Sequence, residues 1–194
     1  MPRRTGSERL EARRARLQRN AEETDPAVVM TAAARFLESR SRSVAEVRRQ
    51  LLAAAYPAPL VERTLERLVE LGILDDRAFA TAWVESRDRA RPRGEVTLRR
   101  ELAMKGIDRE TVAMVLETRG EAAALVSGGV DADHLAADRL LGRNRAALER
   151  VADPRARRSR AYALLARHGF DPEVCRDASG RFFAGAEDGS GVDE

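Results

Sequence analysis

The chain has 194 residues, of which 43% are hydrophobic and 35% charged, while aromatics make up only 4%. Its apolar content is therefore mostly alanine, leucine and valine, which suits thin, closely packed helices and argues against a β-sandwich. Acids and bases nearly cancel, at a net charge of +3, which excludes a simple polycation and leaves any electrostatic role to local clusters of arginine.

Residues 1–25 hold seven arginines among acids, with Leu10 and Leu17 as their large apolar residues. A frayed helix or disordered basic arm is expected there, and neither a signal peptide nor a membrane span. A first three-helix repeat is expected over 26–73. Val28, Val29, Ala32, Phe36 and Leu37 share one face of a helix that starts near Pro26. Ser43-Val-Ala-Glu46 forms a capping box, and Val47, Leu51 and Leu52 follow as a buried stripe. Pro57 and Pro59 close that helix and open the next, with its stripe of Leu60, Val61, Leu65, Leu68 and Val69. Gly72 falls at a helix stop, where Ile73 can fold back on the last turn.

A second repeat is expected over 74–119. Asp75 and Asp76 stand where a helix N-terminus needs acceptors, and Phe79, Ala80, Trp83 and Val84 line the helix they start. A linker over 120–130, a third repeat over 131–179 and a disordered acidic tail over 180–194 complete the expected order. No stretch alternates with period two, so no sheet is expected.

The loops after the middle helices look alike. Leu51 precedes Ala55-Tyr56-Pro57, Leu102 precedes Gly106-Ile107-Asp108, and Leu165 precedes Gly169-Phe170-Asp171. Leu51 and Leu102 are 51 residues apart and Leu102 and Leu165 are 63 apart, which points to an insertion around Ser127-Gly128-Gly129. One such unit buries too little surface to be secure alone. The expected fold is thus all-α, with tandem three-helix units stacked into an elongated, curved body.

Little here supports catalysis. Cys175 is the single cysteine, which excludes an intrachain disulfide and fits a reducing cytoplasm. His134 and His168 have no Cys or His at ligand spacing, so no metal or cofactor is expected. Asp75 and Asp76 lack a third ligand and are read as caps. Phe79 and Trp83, one turn apart, are read as core before any base-stacking role, and Ser43 has no His or Lys partner close in sequence. No enzyme is expected.

Three stretches resemble the RecX family: Leu71-Gly72-Ile73-Leu74-Asp75-Asp76-Arg77-Ala78-Phe79-Ala80, then Arg91-Pro92-Arg93-Gly94 with Leu98 to Ile107, and then Leu164 to Phe170. The resemblance covers roughly residues 27–178 and makes Gly72, Asp75, Asp76, Phe79, Gly94, Leu102, Gly106 and Gly169 motif positions. It implies a regulator of the RecA recombinase, usually a negative one. Such a protein lies along the RecA–single-stranded DNA filament and lowers its ATPase, strand-exchange and co-protease activities. A cytoplasmic monomer with no membrane contact is expected.

The candidate contacts are basic. Arg91, Arg93, Arg99, Arg100 and Lys105 surround the second middle helix, and Arg155, Arg157, Arg158 and Arg160 precede the third. Arg40, Arg42, Arg48 and Arg49 take the corresponding place in the first repeat. A single exposed arginine with a nearby acid, such as Arg100 beside Glu101, carries little energy. The threefold recurrence points to a ridge that meets acidic RecA surfaces, DNA phosphates in the groove, or both in a bipartite grip. The alternative is a stand-alone helical DNA-binding protein, although no helix carries a compact set of base-reading side chains.

Overall fold

The computed structural model describes residues 6–187, so residues 1–5 of the expected arm and 188–194 of the expected tail lie outside the described residues. The described residues form helices and no strand. They divide into two compact units. One ends at Phe79 and takes in Lys105–Ile107, and the other holds Ala80–Met104 and the chain from Asp108 onward.

In the first unit, α1 (Gly6–Ala21) buries no residue. Asn20 at its end donates to the Ala54 carbonyl at 2.7 Å. The first repeat follows as α2 (Pro26–Leu37), α3 (Val44–Ala53) and α4 (Ala58–Glu70). Val29, Ala33, Val47, Leu51, Val61, Leu65, Leu68 and Leu74 form its core. Both halves of the Ser43 capping box are present at the start of α3. The helix α4 stops in a Schellman turn: Gly72 takes φ +65°, while the amides of Gly72 and Ile73 donate to Val69 and Leu68. Leu74, at 2% exposed, tucks under that turn, whereas Ile73 stays 55% exposed.

The second repeat is α5 (Asp76–Ala90), α6 (Glu95–Lys105) and α7 (Arg109–Ser127). Asp75 accepts from the Ala78 amide at the start of α5, and Phe79 and Ala80 are buried. The expected linker over 120–130 is mostly helix, because Ala122, Ala123 and Ala124 favour continuation past Gly120. Gly128, at φ 71°, ends it.

The third group is α8 (Ala132–Arg143), a short α9 (Arg145–Glu149), α10 (Pro154–Arg167) and α11 (Pro172–Glu187). Its core gathers Leu140, Leu141, Leu148, Leu165, Phe170, Val174, Cys175 and Phe183. The 63-residue spacing reflects extra helix, part of it ending at Ser127. It comes partly from α7, which has 19 residues where α4 has 13, and partly from α9. Helix α11 also runs through residues 180–187, where a disordered tail was expected. Buried Phe183 and its edge-on neighbour Phe182, centroids 5.0 Å apart, pack that last stretch on the core, and such packing outweighs the low helix propensity of its glycines.

Candidate functional site

The motif residues build joints at the ends of the middle helices. In the first unit, the Ser43 hydroxyl accepts from Glu46 N at 3.2 Å and donates to the Lys105 carbonyl at 2.6 Å. The first amide of α3, Val44 N, donates to Asp76 at 2.9 Å. Gly106 lies against Ala45, where a Cβ would come within 2.3 Å of the Ala45 methyl.

The second unit repeats this joint. Gly94 N donates to the His168 carbonyl at 3.1 Å, and the first amide of α6, Glu95 N, donates to Asp133 at 2.9 Å. A Cβ on Gly94 would lie 2.1 Å from the Gly169 carbonyl oxygen. Gly72, Asp75, Asp76, Gly94, Gly106 and Gly169 thus cap helices or permit backbone contact, and Phe79 and Leu102 are core residues.

Two networks brace the joints. Glu46 receives Lys105 at 2.8 Å and Arg40 at 3.2 Å. Burial alone would raise its pKa, but hydrogen bonds from Lys105, Arg40 and Ser43 N together hold it below the usual glutamate value. In the second unit the Arg119 guanidinium, 8% exposed, meets Asp88 at 2.9 Å and Asp133 at 2.7 Å. Burial works against its charge, yet the two carboxylates raise its pKa and keep it a cation. Burial has the opposite balance at Asp133, where it outweighs the bonds from Glu95 N and Arg119 and raises the pKa. With two carboxyl groups against one guanidinium, the triad is costly to bury.

The basic candidates fall into two groups. Lys105 is tied to Glu46, and Arg99 pairs with Glu95 at 2.6 Å. Arg157 donates to the Val151 carbonyl at 2.9 Å and lies over the Phe183 ring. Arg93 is half-buried, with its Nε enclosed and unpartnered. By contrast Arg91, Arg100, Arg155, Arg158 and Arg160 are exposed, and among the described residues none of them enters an ion pair.

In the first repeat Arg40 and Arg48 pair with Glu46 and Glu62, and Arg42 stacks on Phe36 at 4.2 Å. Glu101 takes Arg87 at 2.6 Å and Trp83 Nε1 at 2.8 Å, and not Arg100. Adjacent positions on a helix point apart, so the sequence neighbour is the wrong partner.

Superposing the repeats on Leu51, Leu102 and Leu165 matches Arg48 with Arg99 and Arg49 with Arg100. In α10 the same places hold Tyr162 and Ala163. The arginine pair therefore recurs twice in register, and the arginines of α10 lie one to two turns earlier. There Arg155 and Arg158 border a depression with Ser159, Tyr162 and Arg176. Arg176 escaped the sequence reading because the α10–α11 hairpin alone brings it to this place. A larger groove of about 650 Å³, with Val84, Val115, Ala132 and Leu135 on its walls, lies between α5, α7 and α8. Among the described residues no group of His, Cys, Asp or Glu could hold a metal ion, and no helix is long and apolar enough to cross a membrane.

Comparison with known proteins decides the family. The first three-helix domain of RecX matches residues 30–68, and its second three-helix domain matches residues 75–116. The chain is 34% identical over 147 residues to the regulatory protein RecX of Mycobacterium sp. strain JLS, covering 74% of this chain and 75% of that one. The chain belongs to the RecX family. The regulatory protein RecX of Chlorobium phaeobacteroides strain BS1 is 32% identical over 161 residues, covering 83% and 97% of the two chains. The crystal structure of RecX from Lactobacillus salivarius shares the fold, with a TM-score of 0.63 at 17% identity over 80% of this chain and 95% of that one. A second RecX crystal structure gives the same TM-score at 19% identity, covering 77% and 68%. The two matched domains are the α2–α4 and α5–α7 repeats, and the RecX relatives are named as regulatory proteins, not as enzymes.

Proposed function

We propose that this protein is a negative modulator of a RecA recombinase. It binds the RecA–single-stranded DNA filament in the cytoplasm, as a monomer, and inhibits ATPase, strand exchange and co-protease activity. Membership of a family of regulatory proteins is the observation that carries this reading. The sorting of the arginines supports it. Arg91, Arg100, Arg155, Arg158 and Arg160 keep their charge free for a partner, while Arg99, Lys105 and Arg157 are engaged within the chain.

No active site is required. A binder that favours one filament arrangement over another shifts the filament toward it, whereas equal affinity for both would shift nothing. The deciding experiment titrates the protein into the single-strand-DNA-dependent ATPase of the cognate RecA, beside a DNA-binding assay without RecA. Loss of ATPase at concentrations that leave bare DNA unbound is the expected result. An unchanged ATPase with tight binding to bare DNA would replace this reading with that of a stand-alone DNA-binding protein.

A further inference from the structure

The geometry points to a phosphate-binding site between α10 and α11, built from Arg155, Arg158 and Arg176 with the hydroxyls of Ser159 and Tyr162, and suited to a phosphodiester of a nucleic-acid strand. All five residues line one depression, with Ser179 and Gly180 beside them. The three guanidinium groups come from two helices, and no carboxylate stands among the lining residues.

The charge placement in α10 adds to this. Some exposed arginines pair with an acid one turn away, as in Arg67–Glu70, Arg99–Glu95 and Arg145–Glu149, and α10 offers its arginines no such acid. Between Asp153 and Asp171 the sequence holds five arginines and no acid. Arg155 and Arg158 are three apart, so like charges face each other on one side of the helix. They also sit near its N-terminal end, where the helix dipole disfavours cations and favours anions. The nearest acid in sequence, Asp153, is occupied in capping the amides of Arg155 and Ala156.

The like charges and the helix dipole at the start of α10 are therefore unfavourable until an anion arrives, and both turn favourable when it does. Guanidinium forks match the non-bridging oxygens of phosphate, and hydroxyls can complete the set. Breaking the local charge pattern without compensation inside the chain is the mark of a site kept for a ligand. The proposal deepens the regulatory reading above and rests on it for the identity of the strand. The chemistry of the depression stands apart from that reading.

The test uses the full chain and a labelled single-stranded oligo-dT, with affinity measured by fluorescence anisotropy across a salt titration. The site variant is Arg158→Glu with Arg176→Glu. The control, Arg35→Glu with Arg109→Glu, makes the same change in net charge at exposed positions outside the depression. The site variant should weaken binding at least about tenfold and flatten the log–log salt slope by about 1.4, the value for two phosphates on a single strand. The control should change affinity by less than about threefold.

Equal losses in both variants would reduce the effect to net charge and overturn the site, as would tight binding of an uncharged peptide nucleic acid or no oligonucleotide binding at all. The Gln pair at 158 and 176, with circular dichroism, separates loss of charge from loss of fold.

RecA ATPase is read in parallel. Retained oligonucleotide affinity with lost inhibition would mean that the patch serves acidic protein, which overturns the phosphate site and leaves the regulatory reading intact. Lost oligonucleotide affinity in the site variant, with no inhibition even by the unaltered chain, would uphold the site and sink the regulatory reading.

Discussion

Gly94 and Gly169 touch backbone to backbone: a methyl group on Gly94 would sit 2.1 Å from the Gly169 carbonyl oxygen and 2.4 Å from the Phe170 Cα. Neither neighbour is a flexible side-chain end, so the chain must move apart to admit it. Gly94→Ala should destabilise the second unit by about 3 kcal/mol, the upper part of the overpacking range. Urea denaturation followed by circular dichroism checks this, and a loss below about 0.5 kcal/mol would show that the contact is loose.

Ala55 tests the reverse substitution. It holds φ 67°, beside 84° and 80° at Gly106 and Gly169, and is the non-glycine residue with positive φ among those described. Its Cβ resists that conformation. Ala55→Gly should stabilise the protein by about 0.5–1 kcal/mol, the steric relief exceeding the extra chain entropy of glycine. The expected readout is a higher urea midpoint with an unchanged slope.

Glu46 links stability to pH. Its folded pKa lies below its unfolded value, so its contribution is complete above the ordinary carboxylate range and disappears as pH falls through the folded pKa. Glu46→Gln should cost about 1–2 kcal/mol at neutral pH, from hydrogen bonds to charged partners. The gap between variant and parent should shrink once both are measured near pH 3. A gap independent of pH would mean that the carboxylate charge contributes nothing.

Arg119→Met should cost about 3–5 kcal/mol, because it strands Asp88 and Asp133 with no counter-ion. The added substitutions Asp88→Asn and Asp133→Asn should recover part of that loss. Thermal unfolding of the single and triple variants measures it, and a triple variant no better than the single would remove charge burial as the cause.

Much of this fold was legible because its signals are local. The Ser43 capping box, the Gly72 stop and the caps at Asp75 and Asp108 depend on residues within one turn. The likeness of the three loops extends to the backbone, since Ala55 takes the same left-handed course as Gly106 and Gly169. Apart from the continuation of α7 past Gly120, the missed features depend on pairing across the chain. Arg119 finds Asp88 and Asp133 from 31 and 14 residues away. Glu101 answers Arg87 and Trp83 from the preceding helix, and Arg176 reaches the α10 depression through a hairpin. The short helix α9 and the last turns of α11 have little periodicity of their own and are held by Leu148 and Phe183.

The carboxylate caps have a consequence for how such an array can grow. The amide that opens α3 is satisfied by Asp76, and the amide that opens α6 by Asp133, each carried at the head of the following repeat. Helix α10 is different, since Asp153 immediately before it closes its own first turn. A duplication that inserts a whole repeat keeps every donor matched only if its cut falls after the borrowed aspartate. A cut even a few residues earlier would leave an open amide at the seam. The permissible breakpoints of the array are thus set by one hydrogen bond per joint.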